Sequence, residues 1–237
     1  MIPIVVISVA AFMMAMEVFG HGRKWSKVKG WWTRAFLLNG FQFLIAFLAP
    51  FTWDAWMSDY RPWSLDMLGT TGGACFGYFV ITFLFYWWHR MRHDVDFLWT
   101  WFHQIHHSPQ RIEIITSFYK HPFEIVVNSL LSSGILYFVV GLSPLAAGYA
   151  LLLTGLAELL YHWNVRTPYW LGFLVQRPES HCVHHQQGLH HYNYDDLPLW
   201  DMIFGTFRNP KTWNEACGFA DEQEQKLGPM LRGKKVS

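Results

Sequence analysis

Five long apolar stretches, at 2–19, 35–52, 68–88, 123–140 and 145–161, alternate with polar segments in which histidine and charge are concentrated. Each approaches the roughly 20 residues a helix needs to cross the hydrocarbon core of a bilayer, so the pattern predicts about five transmembrane helices. Proline and glycine mark their ends, as at Pro50, Pro122, Gly141 and Pro144. The link from Gly141 to Pro144 is so short that the last two stretches are expected to form a tight helical hairpin. Gly69, Gly73 and Gly77 recur every four residues along the third stretch, which predicts the close approach of another helix. The first stretch has no basic segment before it, and Glu17 stands where a small-residue cleavage site would fall. It is expected to be a retained membrane helix, not a signal peptide.

Composition supports lipid as the solvent. The chain is 52% hydrophobic and only 15% charged, whereas a soluble domain carries about a quarter charged residues. A net charge of +1 gives no electrostatic case for nucleic acid as a partner. Cys75, Cys182 and Cys217 are odd in number and far apart, which argues against a disulfide scaffold and suits a reducing compartment.

Orientation follows from the basic residues. Arg23, Lys24, Lys27, Lys29 and Arg34 follow the first stretch without an acid among them, while the next loop sets Asp54, Asp59 and Asp66 against Arg61. The positive-inside bias puts the first loop in the cytoplasm and the N-terminus outside. Counting five crossings forward, residues 89–121 and everything from 162 onward also fall in the cytoplasm. The chain therefore reads as one integral-membrane domain over 1–237. Residues 1–88 hold three membrane helices, 89–122 a first cytosolic histidine segment, 123–161 the hairpin, and 162–237 a second histidine segment with its tail. Trp31, Trp32, Trp53, Trp56, Trp87, Trp88, Trp99 and Trp101 lie near segment ends and are expected in an aromatic belt. The tail after Thr212 is polar and mixed in charge, and is expected to be a frayed surface segment.

Histidine is where the chemistry concentrates. His89 and His93 are four apart; His103, His106 and His107, and again His181, His184 and His185, stand at i, i+3 and i+4. On helices each set shares one face. Neutral imidazole is the usual ligand for transition metals, and one zinc needs only four ligands, so eight clustered histidines point to two ions. His162 closes the fifth apolar stretch, where a ninth donor would reach the same place. His121 before Pro122 and Glu124 reads as a helix cap or as support for a ligand. His190 and His191 follow the last cluster closely, as further ligands or supports. Asp94, Asp96, Glu124, Glu158, Asp195, Asp196 and Asp201 are near the clusters, and are expected to accept hydrogen bonds from ligating imidazoles instead of binding metal. Cys182 points away from His181 on a helix and reads as packing.

Taken in order, His89-Arg-Met-Arg-His93, His103-Gln-Ile-His106-His107, His121-Pro-Phe-Glu124, His162-Trp-Asn164, His181-Cys-Val-His184-His185 and the run from His191 through Asn193-Tyr194 to Asp201 and Phe204-Gly205-Thr206 resemble the fatty acid hydroxylase and sterol desaturase superfamily over residues 87–206. The resemblance implies an all-α membrane bundle with a cytosolic helical cap around a polyhistidine dimetal site. It implies two iron ions held by His89, His93, His103, His106, His107, His181, His184 and His185, with His162 the ninth donor, and O2-dependent attack on a lipid C–H bond. Some members carry two histidines four apart at the end of the last membrane helix; here Arg166 stands four after His162. The tenth donor is thus open, with His191 or a water held by Asn164 as candidates.

The chemistry agrees with that reading. Side chains alone do not cleave an unactivated C–H bond, so a redox cofactor must carry the reaction. No flavin, haem or cytochrome-like module is evident in the chain, so a separate electron donor, of cytochrome or ferredoxin type with its reductase, is implied. A lipid hydroxylase is the leading expectation, with desaturation by the same centre behind it. A metal transporter would place ligands near the bilayer midplane, where these stretches have almost none. An accessory subunit with a structural zinc site would bind zinc without oxygen-dependent turnover; zinc can also displace iron during purification.

Overall fold

The computed structural model describes residues 2–237, and its regular elements are helices. Its helices are α1 (Ile2–Gly20), α2 (Trp31–Leu48), α3 (Trp53–Asp59), α4 (Gly69–Asp94), α5 (Asp96–Leu98), α6 (Gln104–His107), α7 (Pro122–Gly134), α8 (Pro144–His162), α9 (Pro178–His184), α10 (Pro198–Ile203) and α11 (Leu227–Leu231). Among the described residues there is no sheet; Gln186 and Cys217 form one isolated antiparallel bridge. Five helical runs are long and apolar enough to cross a bilayer, at 3–20, 31–59, 66–94, 122–139 and 144–162. The chain is an integral membrane protein.

Two boundaries differ from the sequence expectation. The second stretch begins at Trp31 and is broken by a 3-10 turn at Ala49–Phe51 before α3 resumes, because Pro50 cannot continue the ladder of backbone hydrogen bonds. The third helix does not stop at Trp88. It runs to Asp94, so His89 and His93 occupy the last turns of a membrane helix and do not open a separate segment.

The hairpin forms as its proline and glycine dictate. A π-helical turn at Ile135–Val139 ends α7, and the Leu142 amide donates to the Leu136 carbonyl at 2.9 Å. Gly141 adopts φ +77, and a Cβ there would lie 2.7 Å from the carbonyl oxygen of Trp63, so no other residue fits. Ser143 caps α8 with Pro144 at its first position. The glycine stripe on α4 packs against α8 and the hairpin turn. A Cβ at Gly77 would stand 2.5 Å from Leu142, and one at Gly73 3.2 Å from Ala146. Gly69 is the exception: it faces open space.

The three polar segments meet at one end of the bundle. Glu17, near the end of α1, accepts from the amides of Ile114 (3.0 Å) and Asn164 (2.7 Å). Asn164 in turn clamps the first loop, its Oδ1 accepting from the Arg23 amide at 2.9 Å and its Nδ2 donating to the Arg23 carbonyl at 2.9 Å. The tail is not frayed. Trp213, Cys217, Phe219 and Met230 are buried in it, and the Gly218 amide donates to the His185 carbonyl at 2.9 Å. Apolar side chains spaced among charged ones hide this packing from a composition reading. Trp31 also departs from the aromatic-belt expectation: it is buried against Tyr119, beneath the Arg111 guanidinium, and donates to Glu113 at 2.8 Å.

Candidate metal centre

At the cap end, nine imidazoles gather into two groups. His89, His93, His103, His107 and His184 bring nitrogens within 4.8 Å of one another, and so do His106, His162, His181 and His185. Within the first, Nε2 of His89 lies 2.8 Å from that of His103 and 3.0 Å from that of His184; in the second, Nε2 of His162 and His181 are 3.1 Å apart. The groups adjoin, with the rings of His107 and His185 stacked at 4.0 Å.

These partners are not the ones one helical face would choose. In each three-histidine cluster the first and third members, or the middle one, go to opposite groups. His103 and His107 face one way and His106 the other; His181 and His185 join the second group while His184 joins the first. A π-helical turn over Trp99–His103 precedes α6, and α9 ends at His184, so neither cluster lies on a regular helix along its whole length.

The outer nitrogens explain why the inner ones point inward. Nδ1 of His89 donates to the Tyr194 carbonyl (2.5 Å), that of His184 to the Tyr192 carbonyl (2.7 Å), and that of His162 to the Glu158 carbonyl (2.9 Å). Nδ1 of His103 donates to Glu124 at 2.9 Å, and that carboxylate is ion-paired with buried Arg92. Each bond fixes a tautomer that leaves Nε2 with a free lone pair toward the centre. Several other ring nitrogens, His93 Nε2, His106 Nδ1 and both of His185, are buried with no protein partner. Buried polar atoms without partners are costly, and an ion bound by the rings of His93, His106 and His185 would satisfy one nitrogen on each.

Electrostatics keep the donors neutral. Burial first, then neighbouring imidazoles, pushes His106, His107, His181 and His185 well below the ordinary histidine range; for His103 burial is followed by the charge of Arg92. Burial takes His184 down to about 3. With no carboxylate in either group, the donor set fits transition-metal ions that accept imidazole, iron and zinc among them.

The remaining candidates are placed outside the two groups. His121 caps α7, its Nδ1 accepting from the Phe123 amide at 3.0 Å. His190 stands behind His107, Nδ1 to Nδ1 at 3.1 Å, and His191 meets the Tyr194 hydroxyl at 3.0 Å. Asn164 pairs with the Arg23 backbone through both its amide atoms. Asn193 donates to the Ser180 carbonyl (2.8 Å) and accepts from the Arg208 amide (2.7 Å). Asp201 accepts from the amides of Tyr194 and Asp195 and from Thr206, and so holds the loop whose carbonyl supports His89. Cys182 is buried against Ile112, Trp213 and Cys217, with its thiol pushed up to about 12 by burial.

Sequence reasoning missed Arg92 and the carbonyls of Tyr192 and Tyr194. His190, Tyr192 and Asn193 all have positive φ, at 46, 69 and 50, a backbone region uncommon for such residues. Only Asn193 hints at it in the sequence.

From the donors a cavity of about 830 Å³ extends into the bundle. His89, His103, His106 and His181 line one end, and Pro3 and Pro144 the other.

Comparison with known proteins agrees with this geometry. The model of the family described as fatty acid hydroxylase matches residues 74–206. The sphingolipid C4-hydroxylase sur2 of Schizosaccharomyces pombe is 30% identical over 141 residues, which cover 58% of this chain and 48% of that protein. The chain thus spans about half the length of that curated relative. No solved structure matches.

Proposed function

The chain belongs to the fatty acid hydroxylase family, and from that premise we propose that it is a membrane-bound, di-iron, O2-dependent hydroxylase acting on a C–H bond of an acyl chain, sterol or related lipid. The observation that carries the reading is the juxtaposition of two polyhistidine groups with the head of a long cavity inside the membrane bundle. The name of the sphingolipid-hydroxylating relative supports it.

His89, His93, His103, His107 and His184 would hold one iron and His106, His162, His181 and His185 the other. Bound iron would supply the redox chemistry by which dioxygen oxidises an unactivated C–H bond. The chain's own part is preorganisation. Three carbonyls and Glu124 lock ring orientation, neutral imidazoles keep their lone pairs free, and the helices around the cavity exclude water while a chain is aligned. Electrons would come from a separate cytochrome- or ferredoxin-type donor. We place the centre and the C-terminus on the cytoplasmic face, with the N-terminus outside, because the basic first loop packs beside the centre through Asn164.

The test is turnover of iron-loaded protein in nanodiscs with a chemical reductant, air and host lipids, read by product mass spectrometry. Gain of one oxygen atom is the expected result. Loss of two hydrogens would make it a desaturase, and no product under any condition would contradict the oxygenase reading.

A further inference from the structure

The cavity is polar at the end nearest the donors. Lys120, Glu158, Tyr161 and Asp196 line it beside His106 and His181. The Tyr161 ring lies 4.4 Å from that of His181, and Lys120 is ion-paired with Glu158. Charge at this end does not balance. The two cations that line it are already committed, Lys120 to Glu158 and Arg92 to Glu124. Asp195 and Asp196 also line it; hydroxyls and amides approach them, and the Lys120 charge that reaches Asp196 is shared with Glu158. Burial pushes both upward, Asp196 to about 7.

The rest of the cavity differs. Along α1 and α8 its wall is apolar, with Val6, Ala10, Leu151 and Gly155. From Glu158 to Pro144 the wall follows α8 for about 21 Å at 1.5 Å per residue, deeper than one leaflet of a ~30 Å hydrocarbon core. Farther along, on α2, α3 and α7, the wall also carries polar groups that are paired within the protein, Asp54 with Ser133 (2.5 Å), Asn39 with the Ile115 carbonyl (2.9 Å) and Asn128 with the Trp88 indole (2.8 Å).

Resting on the lipid-oxygenase reading of this site, we propose that the cavity takes a single-chain lipid head-first, with an alcohol, amide or amine head group held by Asp196, Tyr161 and the Lys120–Glu158 pair. An anionic head would enter a carboxyl-rich end whose two cations are already committed, and at mildly alkaline pH it would stand against the Asp196 carboxylate. With the head beside His106 and His181 and the chain running toward Pro144, the carbon presented to the centre lies close to the head group.

The experiment displaces a fluorescent acyl-chain probe from iron-loaded protein, anaerobically and at mildly alkaline pH, with stearyl alcohol, stearylamine and stearate. The alcohol and the amine are expected to bind about tenfold tighter than stearate, a discrimination of the size that like-charge juxtaposition produces. Asp196→Asn should narrow the amine–stearate gap, and Lys120→Gln should widen it by releasing Glu158, so one variant suffices if the other does not fold. Stearate binding as tightly as the amine, or a gap unmoved by a folded variant, overturns the proposal. Aerobic product from stearyl alcohol oxidised toward its methyl end also overturns it. Because binding is read without oxygen, the stated order with no turnover would sink the oxygenase reading and leave the head-group assignment standing.

Discussion

His103 and Glu124 meet at 2.9 Å, one from the π-helical turn after α5 and the other from the first turn of α7, and the same carboxylate pairs with Arg92 from α4. One acid thereby ties three chain segments to the orientation of a single donor nitrogen. Glu124→Gln keeps the shape and weakens the acceptor. Iron affinity, measured by chelator competition, is expected to fall about 10–100-fold, the usual cost of losing such a support, while the protein still inserts and folds.

Close packing of α4 on the hairpin makes a mechanical prediction. A side chain at position 77 has no room, since its Cβ alone would lie 2.5 Å from Leu142. Gly77→Leu should destabilise the protein by about 1–3 kcal/mol, seen as a lower thermal midpoint in detergent. Leucine at position 69, which faces open space, gives a control for bulk but not for backbone, because Gly69 has φ +61.

Acid should undo the metal-free cap. Burial lowers His184 from 6.5 to about 3, and His103, His106, His107, His181 and His185 move the same way. The unfolded chain therefore binds more protons than the folded one below the ordinary histidine value. Stability that is fully present above pH 6.5 is lost as pH falls from there through about 3. Near-UV circular dichroism of the metal-free protein should decay across that window; a signal unchanged down to pH 3 would count against neutral buried imidazoles.

The tail predicts a loss that its composition hides. Deleting residues 213–237 removes buried Phe219 and Met230 and the amide that binds the His185 carbonyl. Iron retention after gel filtration should drop and the thermal midpoint should fall. A truncated protein that keeps both would mean the tail is dispensable cover.

Much of this arrangement was legible in the sequence. Apolar run lengths located the membrane helices, histidine spacing picked out eight of the nine residues that form the two groups, and the place of His162 at the end of the fifth stretch pointed to the ninth. How those nine divide was not legible, because helical spacing puts i, i+3 and i+4 on one face, whereas the backbone around His103 and His184 is not regular helix. Support from the Tyr192 and Tyr194 carbonyls was equally hidden. Any residue type offers a carbonyl, and a left-handed turn at His190, Tyr192 and Asn193 aims these two. Trp31 failed the belt expectation because its indole found Glu113 and Arg111, partners distant in sequence.

The most direct measurement is the iron content of protein purified and reconstituted without oxygen, compared with His106→Ala and His107→Ala. Two ions per chain are expected in the parent, one for each histidine group. His106→Ala should lose about half of that, because it cuts its group to three donors, fewer than the four a closed site needs; His107→Ala leaves four in the other group, so its ion should be held more weakly and be the first lost to a chelator. A parent chain that binds a single ion, or two variants that leave its content untouched, would contradict a paired metal centre.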